Sequence, residues 1–81
     1  MDIKILVRMA NDIGNFFDAE PDRAVAVQGV VDHLKKFWDP RMRRLIIEHY
    51  LEGAVGMSEL TREAVGQLEK ETTLLRSAGD G

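Results

Sequence analysis

The amino-acid sequence predicts an all-α fold, a small single domain of about four helices. Apolar residues recur at three- and four-residue steps in four segments, which is the period of an amphipathic helix. Proline, glycine and aspartate fall between these segments, where helices end and begin. The chain has 81 residues, 44% of them hydrophobic and 31% charged, which suits one small folded domain and not a disordered polypeptide. We assign the domain to residues 1–76 and a frayed tail to residues 77–81.

The first helix is predicted over about residues 2–18. A second apolar ridge of Ile5, Met9 and Phe16 widens its apolar stripe to roughly 200°, about twice the width that a surface helix needs. This helix therefore has more apolar surface than one neighbouring helix covers. Its main apolar face consists of Ile3, Leu6, Val7, Ala10, Ile13 and Phe17.

The second helix is predicted over about residues 21–38, and the short loop at 18–22 makes the first two helices an antiparallel hairpin. Pro21 suits the first position of a helix. Lys35 and Lys36 suit the last turn, where the helix dipole is negative. The predicted buried face consists of Ala24, Val27, Val30, Val31, Leu34, Phe37 and Trp38.

The third helix is predicted over about residues 40–52, and a sharp corner separates it from the second. Proline disfavours a helical conformation at the preceding Asp39, which can cap the third helix while Pro40 opens it. Apolar and aromatic side chains occupy more than about 200° of this helix, so it also needs two neighbours. These side chains are Met42, Leu45, Ile46, Ile47, Tyr50 and Leu51.

The fourth helix is predicted over about residues 58–76, after a loop from Gly53 to Gly56. Gly53 suits a left-handed helix end, and Ser58 suits the capping position. We expect the distal half of this helix to project beyond the core, because Glu71 interrupts the apolar stripe. That stripe consists of Leu60, Ala64, Val65 and Leu68.

Composition excludes several classes of site. The chain has no cysteine, which excludes disulfides, thiolate zinc sites and cysteine nucleophiles and fits a reducing compartment. His33 and His49 form no recognisable metal-binding pattern. The sequence also has no phosphate-binding glycine loop and no nucleophile beside an evident base. We therefore expect a chain that is not an enzyme by itself and that holds no cofactor or metal.

The expected location is the cytoplasm. The start of the chain has no signal-peptide pattern. No run of apolar residues approaches the roughly 18 of a membrane span, so no membrane association is expected.

Basic residues are concentrated around the second predicted corner. With Asp39 they give residues 35–44 a charge of +4, whereas the remaining residues carry −7. A basic cluster beside aromatic side chains can bind nucleic acid. The sequence pI of about 5.3 disfavours that partner, since nucleic-acid-binding domains are typically basic. The clustered cations are Lys35, Lys36, Arg41, Arg43 and Arg44.

The three arginines of this cluster crowd the first turn of the third helix, where unpaired backbone amides already make the helix end positive. Each unpaired cation there costs of order 0.3–1 kcal/mol. Two interpretations stay open. In the first, acidic side chains of the fold neutralise the charge of the arginines, for instance Glu48 pairing with Arg44 at i, i+4. In the second, the arginines contact an acidic surface of another protein.

The candidate partner-binding residues combine the second ridge of the first helix, the basic cluster and nearby aromatic side chains. Anchors of such an interface would be residues such as Trp38, Phe16 or Tyr50. A tight four-helix core could bury several of them instead, and Trp38 alone is more often a core residue. The full candidate set is Ile5, Met9, Phe16, Lys35, Lys36, Trp38, Arg41, Arg43, Arg44, Ile47 and Tyr50.

Two motifs carry a resemblance to a known family. The first is Leu6-Val7-Arg8-Met9-Ala10-Asn11, followed by Ile13 and Phe16-Phe17. The second and more specific motif is His33-Leu34-Lys35-Lys36-Phe37-Trp38-Asp39-Pro40-Arg41-Met42-Arg43. From about Ile5 to Leu68 the chain resembles the delta subunit of cytosolic NAD-dependent formate dehydrogenase.

The resemblance implies a non-catalytic accessory subunit that binds the catalytic subunits and supports assembly, stability or cofactor maturation. The complex would carry a molybdenum or tungsten pterin, iron–sulfur clusters, FMN and NAD on its other subunits. No catalytic residue is transferred to this chain. The alternative is a freestanding helical module that binds proteins, self-associates as a homo-oligomer or, less readily, binds nucleic acid weakly.

Overall fold

The computed structural model describes the backbone of residues 1–80 and the side chains of residues 1–73. Within these residues the chain forms four α-helices and no strand: α1 (Ile3–Phe17), α2 (Arg23–Phe37), α3 (Pro40–Leu51) and α4 (Glu59–Asp80). The prediction of an all-α fold with about four helices is confirmed. The fourth helix continues past its predicted end at 76 through residues 77–80, most of the predicted tail, and Gly81 lies outside the described residues. Fraying of this tail stays a prediction.

Each helix begins at a side chain that caps its free backbone amides. The second helix starts later than predicted because the carboxylate of Asp22 accepts a hydrogen bond from the backbone N–H of Ala24 at 3.0 Å. This carboxylate holds the capping position and leaves Pro21 outside the helix. The other three caps are Asp2 for α1, Asp39 for α3 and Ser58 for α4.

The core receives side chains from all four helices and from the loop before α4. Its largest fully buried side chains include Leu6 of α1, Leu34 of α2 and Ile46 of α3. Partly buried apolar residues of α1 and α3 pack around it, which agrees with the wide apolar stripes of these two helices. Beyond Leu68 of α4, the side chains of Thr72 and Thr73 are exposed.

At the corner between α2 and α3, the buried side chains differ in part from the predicted apolar face of α2. Trp38 enters the core and is only 5% exposed, whereas its neighbour Phe37 is 70% exposed. Consecutive side chains at a helix end point in different directions, so only one of them reaches the core. Ala24 is also exposed, and Ala26 takes its place in the core.

Small and polar side chains allow α1 to approach α4 closely. A Cβ atom built on Gly14 would lie 2.5 Å from Oγ1 of Thr61, so no larger residue fits without movement. The buried Thr61 hydroxyl donates to the backbone carbonyl of Ala10 at 3.4 Å. Asn11 joins α1 to the start of α4, because its side-chain amide donates to Gly56 O and accepts from Ser58 N, both at 2.9 Å.

The loop between α3 and α4 turns through three residues with positive φ: Gly53 at 125°, Ala54 at 57° and Gly56 at 85°. Nε2 of His49 lies 2.8 Å from the carbonyl oxygen of Val55. A carbonyl only accepts, so Nε2 carries the proton and donates. This contact and the buried side chain of Ala54 fix the loop against the helices.

Candidate partner-binding surface

The outer ridge of α1, formed by Ile5, Met9 and Phe16, is left uncovered by the fold. These side chains are 50%, 37% and 77% exposed, respectively. The other helices pack against the adjoining face of α1, where Leu6 and Ala10 are fully buried. The ring of Phe16 makes an edge-to-face contact with Phe17, with ring centroids 5.0 Å apart.

Some side chains of the basic cluster bind other groups of the fold, and others have no partner among the described residues. Nζ of Lys35 forms an ion pair with Glu71 of α4 at 3.1 Å. Lys36, Arg41 and Arg44 are exposed, and their side chains make no hydrogen bond or ion pair with any side chain of residues 1–73. We call these three residues the corner cations.

Arg43 has a structural role that the sequence did not reveal. Its guanidinium donates to the backbone carbonyls of Lys35, at 3.1 Å, and of Trp38, at 2.5 Å. These carbonyls lie at the negative end of α2, so the charge of Arg43 is favourable there although it belongs to the first turn of α3. Arg43 is partly buried, and its place in the partner-binding surface stays a prediction. The suggested pairing of Arg44 with Glu48 is not among the ion pairs of the described residues.

The remaining predicted anchors lie in or against the core. Trp38 offers almost no surface to a partner, which corrects its assignment as an anchor. Tyr50 is partly buried, and its hydroxyl lies 2.8 Å from the point where a Cβ atom of Gly66 would be. Ile47 is also partly buried and packs against the core.

Phe37, predicted on the apolar face of the second helix, is instead exposed. Its ring lies against His33, with centroids 4.7 Å apart and a tilt of 45°. The signal that could have identified it is its position: Phe37 and Trp38 are consecutive at a helix end, immediately before the Asp39-Pro40 corner. Other exposed apolar residues are Val25, Leu51 and Val55.

A polar seam joins α2 to α4 on another side of the molecule. Arg23 contacts Glu63 at 3.1 Å, Gln67 donates to Gln28 at 2.8 Å, and Lys35 contacts Glu71. The hydrogen bond from Arg23 to Glu63 raises the pKa of Arg23, and the negative charge of Glu63 adds to the effect. The exposed polar side chains of this seam therefore satisfy one another.

The described residues were compared with the pattern of a metal site. No group of three His, Asp or Glu side chains in that part of the chain is placed to hold a metal ion.

An open groove of about 740 Å³ lies between α3 and α4, with Ile47, Leu51 and Leu68 in its lining and charges of both signs around them. None of the helices in the described part is long and apolar enough to cross a membrane.

Comparison with known proteins identifies the family. The family model described as NADH-dependent formate dehydrogenase delta subunit FdsD matches residues 5–65. This range extends from the first turn of α1 into α4 and includes both sequence motifs. No curated protein and no solved structure matches the chain. The chain belongs to the NADH-dependent formate dehydrogenase delta subunit family.

Proposed function

We propose that this chain is a non-catalytic accessory subunit that binds the catalytic subunits of a cytoplasmic NAD-dependent formate dehydrogenase. The observation that carries the proposal is the family match over residues 5–65, which includes the whole outer ridge of α1. The ridge is the apolar surface that this subunit would bury in the complex. Apolar surface that is not used by a fold is typical of a protein interface.

The energetics of the ridge suit such an interface. Burying a fully exposed side chain of this size contributes about 1.5–3 kcal/mol, and the share still available on binding is largest for Phe16, which is 77% exposed. A few anchors of this kind dominate the affinity of most protein interfaces.

The redox groups of the enzyme would lie on its other subunits. Iron–sulfur clusters are held by cysteine thiolates, and this chain contains no cysteine. Its described residues likewise do not fit a metal site. As the family resemblance implies, a molybdenum or tungsten pterin, the iron–sulfur clusters, FMN and the NAD site are assigned in this proposal to the partners, where they would carry out formate oxidation.

The proposal is tested by co-purification from cells that express the whole complex with a tag on a catalytic subunit. The Ile5→Ala, Phe16→Ala variant removes most of the ridge, and we expect each truncation to cost about 2 kcal/mol or more of binding free energy. The matched control is Val25→Ala, Val55→Ala, because these two side chains are similarly exposed and lie outside the ridge. We expect the control to be retained with the catalytic subunits and the ridge variant to be lost.

Equal retention of the ridge variant and the control, with both folded, would contradict the assignment of the ridge. Failure of the unaltered chain to co-purify would contradict the proposed function itself. Deleting the chain separates its possible roles. Loss of subunits from the complex indicates assembly or stability, whereas an intact complex with less bound pterin and metal indicates cofactor maturation.

A further inference from the structure

The corner cations are unusual because the fold uses every other member of the basic cluster. Lys35 is held by Glu71, and Arg43 is held by carbonyls at the end of α2. The corner cations, Lys36, Arg41 and Arg44, are exposed and unpaired within residues 1–73. Two of them stand in the first turns of α3, where the helix dipole disfavours positive charge. The Asp39 cap lies at the same helix end, but neither Arg41 nor Arg44 has an ion pair of its own within residues 1–73.

The scaffold beneath these cations is well fixed. Arg43 bridges the end of α2 to the start of α3, and Asp39 caps α3 by accepting from Met42 N at 2.9 Å. Trp38 is buried between them, and its backbone N–H donates to Leu34 O at 3.1 Å. A rigid support of this kind lets surface side chains bind without further ordering of the backbone.

An exposed aromatic residue belongs to the same short segment as the cations. Phe37 directly follows Lys36 at the end of α2, and Arg41 follows Pro40, the first residue of α3. The ring of Phe37 is 70% exposed, and its centroid lies 4.7 Å from that of His33 at a tilt of 45°. An exposed aromatic side chain in a segment rich in arginine and lysine has the composition of an interface anchor with a charged rim.

The charge distribution indicates which partner fits this surface. Residues 35–44 carry +4, and the remaining residues carry −7. A long polyanion would also meet the acidic remainder of the chain, whereas the acidic patch of a folded protein can engage the corner alone. The corner therefore favours a protein partner over nucleic acid.

We infer that Lys36, Arg41 and Arg44 with Phe37 form a second docking surface, which receives an acidic patch with an apolar recess on a catalytic subunit of the complex. This inference rests on the proposed function and adds a contact separate from the outer ridge of α1. Phe37 supplies apolar burial in the recess. The cations orient the chain and accelerate its encounter with the partner.

The test is a titration of the full chain onto the complex purified without it, with binding measured over a series of salt concentrations. The test variant is Arg41→Gln, Arg44→Gln, and Arg43 is left unchanged because it caps α2. The matched control is Arg62→Gln, Lys70→Gln, which removes two exposed cations of α4. We expect the test variant to bind about tenfold or more weakly and with a shallower salt dependence, and the control to bind as the unaltered chain does. A Phe37→Ala variant should also bind more weakly at every salt concentration.

The outcomes separate this inference from the proposed function. Equal binding and equal salt dependence of test variant and control would overturn the docking corner and leave the accessory role intact. No binding by the unaltered chain would overturn both. Two further results would assign the corner to another partner and overturn the inference. One is binding of a single-stranded RNA oligonucleotide that depends on Arg41 and Arg44, and the other is self-association with that dependence while binding to the complex is unchanged.

Discussion

The outer ridge of α1 and the polar seam between α2 and α4 are both exposed. They differ because the side chains of the seam have partners within the chain, whereas those of the ridge are uncovered. In the seam, Arg23 meets Glu63 and Lys35 meets Glu71, so charged side chains face solvent with partners beside them. On the ridge, Ile5 and Phe16 face solvent without a covering helix. The seam is thus satisfied by contacts within the chain, whereas the ridge is the exposed apolar surface that we propose a partner covers.

The largest expected effect distinguishes two consecutive residues of α1, one in the core and one on the outer ridge. Leu6 is fully buried and Ile5 is 50% exposed. We expect Leu6→Ala to lower the free energy of unfolding by about 2–5 kcal/mol, because it leaves a cavity in the core. Ile5→Ala should change it by no more than about 0.5 kcal/mol. Urea denaturation of the isolated chain followed by circular dichroism measures both, and similar losses for both variants would contradict the assignment of Ile5 to a free surface.

A second prediction separates the engaged arginine from an unengaged one. Arg43→Gln removes charged hydrogen bonds to the end of α2 and should lower the free energy of unfolding by about 1–2 kcal/mol. Arg44→Gln, one residue away, should be close to neutral, since its side chain has no partner among residues 1–73. The same denaturation experiment measures the free energy of unfolding of both variants. Equal values would contradict the role of Arg43 in capping α2.

The smallest effect is expected in the polar seam. Glu71→Gln removes the ion pair between Glu71 and Lys35, and both side chains of this pair are partly exposed. Exposed pairs contribute about 0–1 kcal/mol, so the free energy of unfolding should fall by less than about 1 kcal/mol at low salt. The difference from the unaltered chain should disappear at high salt, because mobile ions screen the pair. A larger loss that persists in salt would show that the seam holds the fold together.

Helical periodicity was sufficient to predict the four helices and the excess apolar surface of α1. It could not show which of Phe37 and Trp38 enters the core, because that depends on the angle at which α2 meets α3. The role of Arg43 was missed for the same reason. Its carbonyl partners belong to the preceding helix, and only the folded corner brings them within reach. The start of α2 was misplaced because Pro21 and Asp22 are both typical of helix starts, and the capping hydrogen bond of Asp22 decides between them.

The most direct test of the account is hydroxyl-radical footprinting of the chain alone and in the intact complex. Met9 and Phe16 of the outer ridge carry side chains that oxidise readily, and Val25 provides an exposed reference outside the ridge. We expect the oxidation rates of Met9 and Phe16 to fall severalfold in the complex while the rate of Val25 stays unchanged. Unchanged oxidation of Phe16 in a complex that contains the chain in full stoichiometry would contradict the central claim that this ridge faces a partner.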